Sequence, residues 1–402
     1  MHPDTMRFID RWAGIPLCFF TSLLLWGKNK TGSSKKVADT IVFIGIAEIG
    51  ALVVAYPAVQ EARKQHPKSR VCFITAPAGK LTLELMGFDE RDIFLIRTSS
   101  IRNILGDIVK IRNAFKKLSV SAVVLEPFTR FSTLVAAWIG ASKRIGCHRF
   151  LAEGVYLGNL LSHRLVYNPH LHASQTYFAL AKLLEKPESV EPSLKETVAS
   201  QIKNRLKIEI PENEQQTLKQ YLQGEISDFS LKKIVLLNAN ASDIVPLRKW
   251  SLDNFVELGK RLLEDSEITV VLTGSPEEQE ACKDLALKID PDRVINFAGK
   301  TTFKELITLY TLSDLLVTND SGPVHFASTT NIPIIALFGP ENPIIFGPMS
   351  PNAKVIALGM ACSPCVSVFN QKKSSCTDNQ CMKQITVEMV IQETQKILQK
   401  WN

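Results

Sequence analysis

The chain has 402 residues, 45% hydrophobic and 22% charged, the balance of a globular protein with material for two or three domains of ordinary size. Its formal net charge of +7 is too small a surplus to indicate a duplex nucleic acid partner, and it fits small anionic ligands or an anionic membrane surface equally well. Four of the eight cysteines (Cys18, Cys72, Cys147, Cys282) stand singly in apolar surroundings, which is not the pattern of a secreted disulfide-built protein and points to a reducing, cytoplasmic compartment.

Residues 13–26, AGIPLCFFTSLLLW, carry no charge, with Arg7, Asp10 and Arg11 before them and Lys28 and Lys30 after. The run is shorter than the ~20 apolar residues needed to span a bilayer upright, and Pro16 breaks or kinks a helix near its start. Three readings fit: a membrane-embedded anchor (in-plane, re-entrant or thinly spanning), a helix docked on the protein's own core, or a signal peptide, the last without a small-residue cleavage site after Trp26. Residues 1–36 are thus expected to be a membrane-associating segment followed by a basic linker, Asn29 to Lys36, whose lysines suit an anionic leaflet.

From residue 40 short apolar runs alternate with helical patterns. Strands are expected at Ile41–Ile46, Arg70–Thr75, Asp92–Ile96, Ala122–Leu125 and Lys143–Gly146, with helices between them, such as Ile104–Leu118. The helical pattern after the first strand puts Leu52, Tyr56, Val59 and Arg63 on one side. Residues 186–230 turn rich in Glu, Lys, Gln and Ser with three prolines and mark a linker or insertion. The alternation then restarts, with strands expected at Lys233–Leu237, Ile268–Leu272, Arg293–Phe297, Leu315–Val317 and Ile334–Phe338, and helices at Leu252–Glu264, Pro276–Ile289, Phe303–Leu312 and Pro323–Ser328. This predicts two Rossmann-like α/β halves, residues 37–185 and 231–402, with parallel sheets on either side of a cleft. Ligands of such sheets sit at the carboxyl ends of the strands. The missing G-x-G-x-x-G fingerprint weakens a nicotinamide-dependent oxidoreductase reading.

The most informative stretch is VTNDSGPVHFASTTNIPIIALFGPENP, residues 317–343. A strand ends near Thr318; Asp320, Ser321 and Gly322 make a turn; and a helix begins near Pro323, with Asp320 or Ser321 as its N-cap. Free backbone N–H groups, a hydroxyl and a helix start at one point suit a phosphate, and His325 adds a second donor. The plain alternative is a strand–cap–helix connection with a surface histidine.

D-S-G-x-x-H followed by N-x-P-x-x-x-L-F-G-P resembles the signature of the heptosyltransferase family, glycosyltransferase family 9. The segments 237–262, with Arg248 two residues before Trp250, 272–280 and 298–320 look like further parts of the same family pattern. The resemblance is close over 231–390 and loose over 40–180. It implies a GT-B-like fold and metal-independent, inverting transfer of a sugar from a nucleotide donor. It further implies that Asp320, Ser321, Gly322 and His325 face the donor diphosphate and sugar, that Arg248 neutralises the leaving phosphate, that Thr301 and Thr302 neighbour it, and that Glu277 or Glu278 approaches the ribose. Solvated helix-start acids are the plain alternative for the last pair.

One departure bears on catalysis. In IGIAEIGALVVAYPAV, residues 44–59, Gly50, Pro57 and Ala58 match the family's N-terminal motif, but Ala51 stands where the family has the aspartate expected as general base. Glu48, three residues earlier, is the candidate replacement, or else a solvated loop acid in a member without that base. Cys362, Cys365, Cys376 and Cys381 have the spacing of a structural zinc knuckle whose loop would hold Lys372 to Ser375, and equally of reduced structural thiols. The expected function is transfer of a heptose or similar sugar to a lipid- or polysaccharide-linked acceptor, such as the lipopolysaccharide core, at the cytoplasmic face of the inner membrane. No cofactor is required and no nucleic acid is bound. The competing reading, favoured by Ala51, is a catalytically inactive nucleotide-sugar-binding or scaffold member.

Overall fold

Val- and Ile-rich runs of five or six residues become strands buried on both faces, as parallel strands under crossover helices must be. The computed structural model describes residues 10, 12–28, 38–150, 154–188, 194–198, 205–224, 233–241 and 245–400. The basic linker expected over 29–36 and much of the 186–230 stretch lie outside the described residues.

The chain divides into two compact units, Met1–Arg205 and Leu206–Asn402. The first holds β1 (Thr40–Ile44), β2 (Arg70–Thr75), β3 (Ile93–Leu95), β4 (Val120–Val124), β5 (Lys143–Cys147) and β6 (His163–Leu165), paired in parallel in the order β3-β2-β1-β4-β5-β6. The second holds β7 (Lys233–Asn238), β8 (Ile268–Leu272), β9 (Val294–Asn296), β10 (Leu315–Asn319), β11 (Ile334–Phe338) and β12 (Ala353–Ala357), in the order β12-β11-β10-β7-β8-β9. Each sheet is doubly wound. Its winding reverses between the first and fourth strands of the set, between β1 and β4 and between β7 and β10, and ligands bind at such switch points.

The expected strands are present, with ends shifted by one or two residues. β6 and β12 are the two that the sequence does not announce. They are sheet-edge strands, one of three residues and one partly exposed along its length, so neither carries a continuous apolar run. The helical pattern after β1 is two helices, Ile49–Val54 and Tyr56–Gln65, which meet at Ala55, with Pro57 in the first turn of the second. In the described part of 206–230, the helix Glu212–Gly224 packs on the helix Phe303–Leu312, tied by Lys304 to Glu214 at 2.8 Å. It belongs to the second unit.

Residues Gly14–Lys28 are a helix. No helix of the described residues is long and apolar enough to cross a membrane. One face of the helix docks on the first unit, where Cys18 packs with Leu134, Ala137 and Leu160. The internal-docking reading therefore holds for that face.

His163 on β6 is buried; its Nε2–H donates to Lys186 O at 3.0 Å and its Nδ1 accepts from Ser162 Oγ at 2.8 Å. Burial, with Lys143 and Arg144 nearby, pushes its pKa from 6.5 down to about 4. A folded-state pKa below the unfolded one means stability that is complete above 6.5 and lost as pH falls through that window. Melting temperatures measured across it should fall with pH, and His163→Gln should flatten the slope; identical slopes would show that the imidazole is not held neutral.

Candidate active site

The second switch point is built around Asn319, the fully buried last residue of β10. Its Oδ1 accepts from Trp250 N at 3.0 Å and its Nδ2 donates to Ala239 O at 2.9 Å, so one side chain ties down both ends of the loop after β7. Trp250 is itself buried and donates its indole N–H to Ile385 O at 2.7 Å. With the loop fixed, Arg248 reaches Glu341 through Nη2 at 2.8 Å and approaches Asp320 through Nε at 3.4 Å. Glu341 follows the Phe338-Gly339-Pro340 turn after β11 and is 1% exposed. Lys372 Nζ lies 3.9 Å from Glu341 and 4.6 Å from the centre of the Phe346 ring. Two buried carboxylates thus meet two half-buried cations, the pairing that buried charge needs.

Of the two N-cap candidates, Ser321 takes the position, while Asp320 is buried against Arg248. The hydroxyl of Ser321 donates to Asn319 O at 3.3 Å and makes no capping bond. The helix it opens, Gly322–Ala327, has Pro323 in its first turn and His325 half-buried within it. Six residues align few peptide dipoles, so attraction for an anion here rests more on Arg248 and Lys372 than on the helix start.

Phe303 packs edge-on against Phe326 with ring centres 4.7 Å apart, which brings the 301–303 turn beside that helix. The hydroxyl of Thr302 is engaged as the N-cap of Phe303–Leu312, in a capping box with Glu305. Thr301 and Thr302 line a cavity of about 510 Å³ with Tyr221 and Phe297, and Arg248, Asp320 and Glu341 are not among its walls. Glu278 closes another capping box, accepting from Ser275 N at 2.7 Å. Its carboxylate lies close enough to Gly274 that a Cβ there would come within 3.1 Å, and Asn240 crowds the same point at 3.0 Å. Glu278 thus stands at the carboxyl ends of β7 and β8. Glu277 beside it is held below the usual carboxylate range by hydrogen bonds from its own backbone N–H and from Ser275.

At the first switch point the counterpart of Asn319 is Glu126, two residues past β4. Its Oε1 accepts from the backbone N–H of Ile46, at 2.7 Å, and of Ala47, and its Oε2 accepts from Ser132 Oγ. Burial of the half-buried side chain's carboxyl raises its pKa despite these donors, with Glu48 adding a smaller push. Glu48, half-buried, is the N-cap residue of Ile49–Val54 but makes no side-chain cap. Burial and then the charge of Glu48 also raise the pKa of Tyr177. The loop carrying Glu48 is therefore clamped by Glu126, with Tyr177 beside it. Ala51 is buried in the following helix.

Cys381 is pushed up by burial and by Cys365, Cys376 and Cys362 around it, and Ser374 Oγ lies 3.1 Å from Cys365 Sγ. All four are free cysteines, and among the described residues no group of three or more His, Cys, Asp or Glu is arranged to hold a metal. The zinc-knuckle expectation finds no support among the described residues. The segment instead packs on the β11 turn, with Cys365 N and Val366 N donating to Pro340 O, and presents Lys372 to Glu341.

A family model described as Glycosyltransferase family 9 (heptosyltransferase) matches residues 112–375. The chain belongs to glycosyltransferase family 9. The matched stretch takes in the Arg248 cluster, Glu278, Thr301, Thr302 and His325, and leaves out Glu48. Lipooligosaccharide heptosyltransferase 2 of Campylobacter jejuni is 35% identical over 172 residues, 41% of this chain and 52% of that protein. The chain spans about half the length of the Campylobacter relatives it matches. The structure of E. coli ADP-heptose lps heptosyltransferase II superposes with a TM-score of 0.67 at 22% identity, covering 90% of this chain and 100% of that one. A family 9 glycosyl transferase from Veillonella parvula gives 0.68 at 20%, covering 90% and 97%. At such identities the likeness is one of fold, the GT-B-like pair of parallel sheets that the sequence implies.

Sequence reasoning missed Glu341, Lys372, Asn319 and Glu126. Glu341 had a signal, an acid directly after the L-F-G-P turn; Lys372 had none, because its approach depends on the path of the cysteine segment. Removing Glu341 leaves Arg248 and Lys372 under-compensated in a buried place. Glu341→Ala should cost about 3 kcal/mol of stability, read by denaturant titration; a cost near zero would mean that the quartet is not a unit.

Proposed function

We propose that the chain is an inverting glycosyltransferase that moves a heptose or similar sugar from a nucleotide diphosphate donor to a lipopolysaccharide-core or other envelope-glycan acceptor, at the cytoplasmic face of the inner membrane. The observation that carries this reading is the Arg248–Asp320–Glu341–Lys372 cluster at the carboxyl edge of the second sheet, on the family's own motif turn. Arg248 and Lys372 supply the positive charge that a departing diphosphate needs, so the reaction requires no cofactor. The planar fork of Arg248, already held by its loop and two carboxylates, suits two phosphate oxygens at small entropic cost. His325 and the N–H groups from Ser321 onward add neutral donors, and Glu278 receives the ribose.

Glu48 is the base of this scheme. It takes the proton of the acceptor hydroxyl, whose oxygen bonds to the anomeric carbon as the bond to the diphosphate breaks on the opposite side. The nucleoside diphosphate leaves and the configuration inverts. The names of the relatives make ADP-heptose the first donor to try. The alternative reading, a non-catalytic nucleotide-sugar-binding or scaffold protein, is favoured by Ala51, since an alanine accepts no proton.

Calorimetric titration with nucleotide-sugars tests the donor site: Arg248→Ala and His325→Ala should each weaken binding by about 1–3 kcal/mol, the scale of a lost charge-assisted hydrogen bond. Unchanged isotherms would remove the cluster from the donor site. Glu48→Gln should slow transfer by about 10²–10⁴-fold with donor affinity nearly unchanged. Wild-type turnover in that variant would place the base elsewhere, and donor binding without turnover in the unmodified chain would favour the non-catalytic reading.

A further inference from the structure

The helix Gly14–Lys28 has its polarity reversed. The residues at Gly14, Cys18, Thr21, Ser22 and Leu25 follow the spacing of one helix face. That face, with the small and polar side chains, is the one turned inward. Thr21 Oγ1 accepts from the indole N–H of Trp138 at 3.2 Å, and Ser22 Oγ accepts from Asn159 N at 2.9 Å while donating to Cys18 O at 2.7 Å. Two glycines permit the close approach: a Cβ at Gly14 would come within 2.8 Å of Arg130 Cδ, and one at Gly158, whose φ is +56°, would run into Ser22 Oγ. Just before the helix, Asp10 pairs with Arg130, whose Nε donates to Tyr156 O at 3.1 Å.

The opposite face, from Ile15 to Leu24, is apolar and exposed among the described residues. Eight exposed large hydrophobic side chains fall between Trp12 and Trp26, with Phe20 61% and Leu24 72% exposed. A soluble helix is built the other way round, and an apolar patch of this extent marks a surface with a partner. Beside the helix is a cavity of about 480 Å³ with two unlike walls: Phe19, Leu23 and Trp26 on one side, His148, Arg149 and Tyr156 on the other. Arg149 lies over the Tyr156 ring at 5.6 Å, and Asn159, also in the lining, accepts from Arg164 at 3.0 Å.

We propose that this helix lies in the plane of an anionic bilayer as a monotopic anchor, with the adjoining cavity holding the phosphate headgroup of one lipid against Arg149 and its acyl chains along Phe19, Leu23 and Trp26. Length decides against spanning, because 15 residues reach about 22 Å while the hydrocarbon core is about 30 Å. Charge decides the kind of surface: the exposed face is uncharged, the cavity wall carries Arg149, and the helix ends on Lys28 with Lys30, Lys35 and Lys36 following in the sequence. A second copy of the chain would cover the apolar face but would bring the same cationic wall with it. The inference deepens the membrane-facing part of the proposed function and does not depend on the transfer chemistry.

Deleting the segment is a poor test, because it would bare Leu134, Ala137 and Leu160. Flotation of the full chain with phosphatidylcholine vesicles, with and without phosphatidylglycerol, reads binding directly. The chain should float with the anionic vesicles. Phe20→Glu and Leu24→Glu, whose side chains point away from the docked face, should each weaken this by about tenfold or more. Arg149→Glu should remove about tenfold of the preference for anionic over neutral vesicles. Brominated lipids should quench Trp12 and Trp26 alike, as told apart by Trp12→Phe and Trp26→Phe, because an in-plane helix holds both at one depth. Flotation of the Glu variants equal to the parent chain, quenching of one tryptophan alone, or a chain that stays unbound and forms dimers through this helix would each overturn the proposal. None of these readouts involves sugar transfer, so a failure here is distinct from a failure of the transferase reading.

Discussion

Everything chemical in this molecule depends on what happens where a doubly wound sheet reverses its strand order. At a switch point the first and fourth strands lie side by side while their chains leave in opposite directions, and backbone groups at the strand ends lose their ladder partners. Both units meet this with one polar side chain just past or at the end of the fourth strand, half-buried in Glu126 and fully buried in Asn319. Glu126 accepts two backbone N–H groups from the loop after β1; Asn319 takes one N–H and gives one to a carbonyl in the loop after β7. The choice of residue follows the groups to be satisfied: two donors call for a carboxylate, and a donor plus an acceptor call for an amide. The loops so fixed are the ones that carry Glu48 and Arg248.

The second consequence concerns charge. A lone buried arginine would be destabilising, so Arg248 is kept in place by Asp320 and Glu341, and Lys372 restores the balance. This differs from a simple cationic pocket. In the proposed reaction an arriving diphosphate would meet a guanidinium whose rotamer is already set, and would share that guanidinium with carboxylates rather than order it. The attraction per contact is weaker than for a bare cation, and the preorganisation is greater. Selectivity among anions by geometry, more than by charge alone, is what such an arrangement favours.

The parts legible in the sequence were those written locally. Continuous runs such as Ile268–Leu272 and Ile334–Phe338 announce buried parallel strands because they are short, rich in β-branched residues and set between helical patterns. The Asp320–Pro323 turn was legible because capping chemistry is a matter of neighbours. Distance along the chain hid the rest. Glu126 touches residues 80 positions away and Asn319 a partner 69 away, and a single acid or amide after a strand has no local mark of such a role. The path of the cysteine segment is hidden in the same way: it packs on Pro340, which the spacing of the four thiols does not show. Of the two N-cap candidates Ser321 takes the cap, and the approach of Asp320 to Arg248, 72 residues upstream, has no local mark.

The N-terminal run shows where composition stops and three dimensions begin. Fourteen uncharged residues say only that some apolar environment is needed. Internal docking and a membrane are alternatives only for a helix with one apolar face to place. The helix has two faces in need of different partners: small and hydroxylated side chains that fit close against Trp138 and Asn159, and bulky ones that nothing among the described residues covers. Thr21 and Ser22, two polar residues in an otherwise greasy run, were the clue. In a bilayer-facing position they would weaken the helix's hold on lipid; turned inward they specify which way it is mounted, and that orientation leaves the apolar face outward.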